Sequence, residues 1–229
     1  MFHFKAITLN FEHSTLNEKK RIALFGGSYN PVHNAHVHVG RYVAEKEGMD
    51  EVWVMLSPQN PFKKGKYMLP DETRLRLLTE SFRGIPNLKV SDFELSLPKP
   101  SYTYKTLEKL KEANPDYEFS LIFGIDILEH LLEWRNAVKI IEQHKLLAYL
   151  RPGYEENLDK VLAKLETGYK EKKSANAPEL FDQLKIINGP LVDISSTEIW
   201  ERVKHKESIV HLVPLPVQEF LINNYKLSV

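Results

Sequence analysis

The stretch Arg21-Ile22-Ala23-Leu24-Phe25-Gly26-Gly27-Ser28-Tyr29-Asn30-Pro31-Val32-His33-Asn34-Ala35-His36 decides the fold of this chain. Ile22 to Phe25 is a short apolar run, the pattern of a buried strand. Gly26-Gly27 stops it, because glycine admits dihedrals that other residues avoid. From Asn34 to Glu47 the pattern becomes helical, and Gly48 supplies the stop signal. A turn between a strand and a helix start gathers unpaired backbone N–H groups and the positive end of the helix dipole, which suits an anion. His33 and His36 stand three apart at the helix opening and share a face. Two imidazoles beside backbone donors make a cradle for a polyphosphate. Plainer readings exist for each piece: most Gly-Gly turns are only turns, and a histidine pair three apart is also a surface pair or half of a metal site. The order of the pieces after an apolar strand gives the pattern its specificity.

The same alternation continues along the chain. Strands are expected at Glu51–Leu56, Leu88–Leu95, Phe119–Phe123, Leu146–Leu150 and Leu184–Ile187. Helices are expected at Pro70–Phe82, Tyr104–Ala113, around Ile127–Leu132, at Trp134–Gln143, within the charged stretch Glu155–Ala175, and near the end at Ser195–Lys204 and Val217–Tyr225. Strand–turn–helix repeats with few hairpin signals predict an α/β fold, a doubly wound, Rossmann-like, mostly parallel sheet with C-terminal helices. Ligands in such sheets bind at the carboxyl ends of the strands, near the point where the strand order reverses. Residues 1–20 are polar and aperiodic and are expected to be an extension; residues 21–229 are expected to form one domain.

Composition narrows the function. Among 229 residues the net charge is +0, so a long nucleic-acid footprint is disfavoured. With no cysteine, a thiolate metal site, a disulfide scaffold and a cysteine nucleophile are excluded. No apolar run approaches a membrane span and the start lacks a signal-peptide pattern, so a soluble, cytoplasmic protein without a membrane partner is expected. Asp193-Ile194-Ser195-Ser196-Thr197-Glu198-Ile199 is the second chemical signal: three hydroxyls at a helix start, with Ser195 and Glu198 at capping-box spacing. By itself such a box is most often an ordinary helix cap.

Gly26 to His36 resembles the signature of the nucleotidyltransferase superfamily with the H-x-G-H motif, with Tyr29 in place of phenylalanine and Ala35 in place of the glycine between the histidines. The resemblance implies that His33 and His36 contact ATP phosphates during transfer, with Gly26, Gly27, Ser28 and Asn30 at the nucleotide. Ile194-Ser195-Ser196-Thr197 resembles the family's second ATP-binding motif, Ile-Ser-Ser-Thr-x-Ile-Arg. Trp200 occupies the position of its arginine, and Arg202 falls on another helix face.

Further segments are similar to one branch, the nicotinate mononucleotide adenylyltransferases of bacterial NAD synthesis. They are the Asn60-Pro61-Phe62-Lys63 loop, Ser101-Tyr102-Thr103, Gly124-Ile125-Asp126, Leu132-Glu133-Trp134 and Arg151-Pro152-Gly153. The resemblance implies that Lys63, Ser101, Tyr102, Thr103, Asp126, Trp134 and Arg151 face the acceptor nucleotide, Trp134 by stacking on the pyridine. Outside the resemblance, Trp134 reads equally as core, Asp126 as a helix cap and Lys63 as a solvated loop charge. Arg74, in the helix after the loop, is a weaker site candidate. The implied partners are ATP and nicotinate mononucleotide, and the implied cofactor is Mg²⁺ held mainly by substrate phosphates and water, with no protein metal ligand. Related adenylyltransferases acting on nicotinamide mononucleotide or phosphopantetheine, and a non-catalytic nucleotide binder, are the alternatives.

Overall fold

The structure, a computed structural model, describes residues 19–58 and 67–227. Six strands form one sheet: β1 (Lys20–Gly27), β2 (Glu51–Leu56), β3 (Leu88–Ser91), β4 (Tyr117–Gly124), β5 (Leu146–Tyr149) and β6 (Leu184–Ile187). Their order is β3-β2-β1-β4-β5-β6 and every neighbouring pair is parallel. The order reverses between β1 and β4, so the carboxyl ends of these two strands flank the crevice where such sheets bind ligands.

Parallel strands need crossovers, and the crossovers cover both faces. Along β1 the side chains alternate. Ala23 and Phe25 join one core with α1 (Asn34–Lys46), α2 (Asp71–Phe82), α7 (Ser196–His205) and α8 (Leu215–Tyr225), contributing among others Val43, Leu77, Ile199 and Leu221. Ile22 and Leu24 join the other with α3 (Thr103–Ala113), α4 (Ala137–Gln143) and α5 (Leu158–Lys170) through Leu107, Ile140 and Leu165. A short helix, α6 (Leu180–Gln183), leads into β6.

Several expected boundaries move. The third strand ends at Ser91, because Ser91 Oγ accepts the Phe93 N–H at 3.3 Å and the chain turns into a 3₁₀ segment, Phe93–Ser96. The expected helix around Ile127–Leu132 is a longer 3₁₀ segment, Ile125–Glu133. The helix expected from Trp134 starts at Ala137: Asn136 has φ +58, a left-handed conformation that an α-helix cannot contain, and stands as its N-cap. Trp134 is thereby extended, at ψ 143, and lies outside any helix.

Candidate active site

At the carboxyl ends of β1, β4 and β5 lies a cavity of about 930 Å³. Its floor on the β1 side is Gly26, Gly27 and Ser28, followed by His33 and His36. Gly27 allows a close approach: a Cβ there would stand 3.0 Å from the Tyr29 ring. Tyr29, with φ +43, folds its buried ring back under the turn and donates to Phe25 O at 2.5 Å. Burial, and then the Glu94 charge, push its phenol well above the ordinary range, so it remains a donor.

His33 caps α1 in extended conformation. Its backbone N–H donates to His36 Nδ1 at 3.2 Å, and the two rings stack with centroids 3.6 Å apart. That bond fixes neutral His36 as the tautomer protonated on Nε2. His33 is only 4% exposed and its Nδ1 is buried without a hydrogen-bond partner. Burial, and then the Arg151 charge, lower its pKa from an ordinary 6.5 to about 3, so the ring is neutral near pH 7. A buried, unpartnered ring nitrogen costs free energy unless a ligand completes it.

Ile194, Ser195 and Ser196 line the same cavity from the start of α7. Ser195 is the N-cap, accepting the Glu198 N–H at 3.1 Å. Two bonds tie this second motif to the first: Ser196 Oγ donates to Pro31 O at 3.0 Å, and Trp200 Nε1 donates to Asn30 O at 2.9 Å. Trp200 also meets Tyr67 and Tyr225 edge-on. The tryptophan in the family arginine's place is therefore a clamp between motifs. Arg202 does not line the cavity; it pairs with Glu198 at 3.0 Å.

The opposite wall holds Ser101, Tyr102, Thr103, Asp126, Trp134 and Arg151. Trp134 packs edge-on against Phe123, centroids 6.3 Å apart, and keeps part of its surface open. Asp126 Oδ1 lies 3.4 Å from Arg151 Nε, and the pair spans Gly124, where a Cβ would sit 2.3 Å from Asp126 Oδ1. Gly124 thus leaves room for this ion pair.

Two expected site residues, Asn30 and Thr197, do not line the cavity. Asn30 is not in the cavity lining: its Nδ2 donates to Tyr67 O at 3.0 Å and its Oδ1 accepts the Leu69 N–H at 2.9 Å, so both ends hold the chain that leads into α2. Thr197 is exposed and does not line the cavity, one residue past the hydroxyls that do. Lys63 lies outside the described residues. Arg74, weighed as a site residue, is fully buried structure instead. Its guanidinium donates to Leu69 O (3.1 Å), Ser28 O (2.5 Å), Ser57 O (3.1 Å), Pro58 O (3.2 Å) and Asp71 Oδ1 (2.6 Å). It braces the carboxyl ends of β1 and β2 and never faces the cavity.

Glu94 joins the site without belonging to any of the motifs above. It lies buried in the 3₁₀ segment after β3, lines the cavity and accepts from Thr106 Oγ1 at 2.8 Å. An acid inside an apolar run, Phe93-Glu94-Leu95, was the available signal.

The profile of the cytidylyltransferase-like family matches residues 24–202, most of the chain. A relative in Bacteroides thetaiotaomicron, named probable nicotinate-nucleotide adenylyltransferase, is 36% identical over 90% of this chain and 92% of its own. One in Flavobacterium johnsoniae with the same name is 37% identical over 89% and 97%. This chain belongs to the nicotinate-nucleotide adenylyltransferases. Another member, from Clostridium acetobutylicum, is 33% identical over 90% of this chain and 98% of its own. In fold the chain is similar to the Plasmodium falciparum nicotinic acid mononucleotide adenylyltransferase solved with NaAD. The TM-score is 0.71 at 20% identity, over 91% of this chain and 98% of that one. The six-stranded parallel sheet covered by helices is the fold that likeness implies.

Proposed function

We propose that this protein transfers the adenylyl group of ATP to nicotinate mononucleotide, giving deamido-NAD and pyrophosphate in NAD biosynthesis. One observation carries the reading: a single cavity of about 930 Å³ joins the histidine cradle to the Trp134 wall. Small-molecule sites span roughly 300–1,000 Å³, so this one is of a size for two nucleotides side by side. The names of the relatives support the same activity.

The attacking group is a phosphate oxygen of the mononucleotide, ionised near neutral pH, so no general base and no covalent intermediate is required. A bond forms from that oxygen to the α-phosphorus. The bond from the α-phosphorus to its bridging oxygen breaks, and pyrophosphate leaves with the electron pair. The chain supplies alignment and charge neutralisation. His33 and His36 are the catalytic pair at the phosphates; the Gly26–Ser28 turn and the Ile194–Ser196 helix start hold the triphosphate. Negative charge arriving beside His33 opposes its burial and favours its protonated form. Ser101, Tyr102, Thr103 and Trp134 hold the pyridine end, Asp126 and Arg151 the acceptor's ribose and phosphate. Lys63 would add a cation from the loop.

Among the described residues no group of three or more His, Asp or Glu side chains could hold a metal ion. Mg²⁺ would be carried in on the substrate phosphates with its own waters. There it would neutralise the triphosphate. No helix of the described residues is long and apolar enough to cross a membrane, and a cysteine-free chain with these substrates fits the cytoplasm.

The test is pyrophosphate release with ATP and Mg²⁺ against nicotinate mononucleotide, nicotinamide mononucleotide and phosphopantetheine. Nicotinate mononucleotide is expected to be used at least tenfold more efficiently than the amide. Equal use of the amide would move the assignment to a broader pyridine nucleotide enzyme, and release only with phosphopantetheine would refute it.

A further inference from the structure

Two guanidinium groups line the cavity, and they stand in different circumstances. Arg151 is 3.4 Å from the Asp126 carboxylate. Arg135 has no carboxylate partner among the described residues; its guanidinium carbon lies 5.2 Å from the centre of the Tyr102 ring. Its neighbour in the chain, Trp134, and its platform, Tyr102, are both part of the wall that receives the pyridine.

We propose that Arg135, held over the face of Tyr102, receives the carboxylate of the acceptor's pyridine ring and is the side chain that sets the preference for the acid over the amide. This rests on the reading of the cavity as a mononucleotide adenylyltransferase site. Guanidinium has five N–H donors and no acceptor, in a fork that matches both oxygens of a carboxylate. A carboxamide offers one oxygen and an NH₂ that faces those donors with donors of its own. Stacking on an aromatic ring holds the planar group while leaving its N–H edge open for in-plane bonds. Neither Glu133, whose carboxylate meets His130 Nδ1 at 2.9 Å, nor Glu94, which accepts from Thr106, forms an ion pair with Arg135.

The experiment compares kcat/KM for nicotinate and nicotinamide mononucleotide, with ATP and Mg²⁺ saturating, in the wild type, R135M, R135K and Y102L. Thermal unfolding checks that each variant is folded. R135M is expected to lower efficiency with the acid at least tenfold, through KM, and with the amide by less, so that the ratio falls toward one. R135K, a charge without the planar fork, should recover part of the ratio. Y102L should lose part of it, and KM for ATP should hold. A wild-type ratio retained in folded R135M overturns the proposal. So does an equal rise in KM for both mononucleotides, which would place the guanidinium on their common phosphate. Wild-type protein inert toward both would instead refute the adenylyltransferase reading itself, and this proposal with it.

Discussion

Replacing Arg74 by methionine removes five side-chain hydrogen bonds while keeping much of the volume. The five hydrogen bonds of its guanidinium end on four backbone carbonyls and one carboxylate, and the side chain is fully buried. Five bonds at about 1 kcal/mol each would total roughly 5 kcal/mol. Partial entry of water to the orphaned carbonyls brings the expectation to about 4 kcal/mol. For a chain of this size that lowers Tm by about 8–16 °C. Urea unfolding followed by circular dichroism, with Tm by calorimetry, measures both. Because Ser28 O and Pro58 O are among the acceptors, KM for ATP should also rise at temperatures where R74M is folded. R74K retains a charge but offers three donors from a point and should fall between. A loss below about 1 kcal/mol in R74M would refute the reasoning, since the orphaned carbonyls would then cost nothing.

His33 binds a proton in the unfolded chain near pH 6.5 but in the folded chain only at about 3. Stability should therefore fall as pH drops from about 6.5 toward 3, and H33Q should flatten that part of the pH–stability curve. Against burial, hydrogen bonds from Lys99 and Arg74 hold the Asp71 carboxyl below its usual value, so D71N should remove a separate loss of stability as pH falls through and below the ordinary aspartate range. Trp134→Ala should weaken the mononucleotide several-fold, by about 1 kcal/mol, while leaving KM for ATP nearly constant; the opposite pattern in steady-state kinetics would show the indole misassigned. Trp200→Arg should lower Tm and raise KM for ATP by loosening the bond to Asn30 O, whereas R202A, altering an exposed pair, should do little to either.

The alternating apolar runs and glycine or proline stops disclosed the sheet because a parallel strand buried on both faces must be apolar throughout. The cradle was readable for a related reason: Gly26-Gly27, His33 and His36 are local in the chain, and so is their geometry. What escaped depends on distance in sequence. Arg74 carries the same charge whether it meets a phosphate or four carbonyls, and only the approach of Ser28, Ser57 and Pro58 decides between them. Trp200 broke a family pattern, and its partner, Asn30, lies 170 positions away. The late start of α4 was recoverable, since Asn136 is a favoured helix-capping residue two positions after Trp134. Ser91 ended β3 by accepting the Phe93 backbone N–H on its side chain, which a hydrophobic pattern does not register.

The central claim is that the stacked His33–His36 pair acts on the phosphates of ATP. Its most direct test is deamido-NAD formation from ATP and nicotinate mononucleotide by the wild type, H33A and H36A, with substrates saturating. Removing one preorganised donor from a site of developing charge typically costs about 10²–10³ in kcat. The account predicts losses of that order in both variants, with the fold intact by circular dichroism. Near-wild-type turnover in both would contradict it.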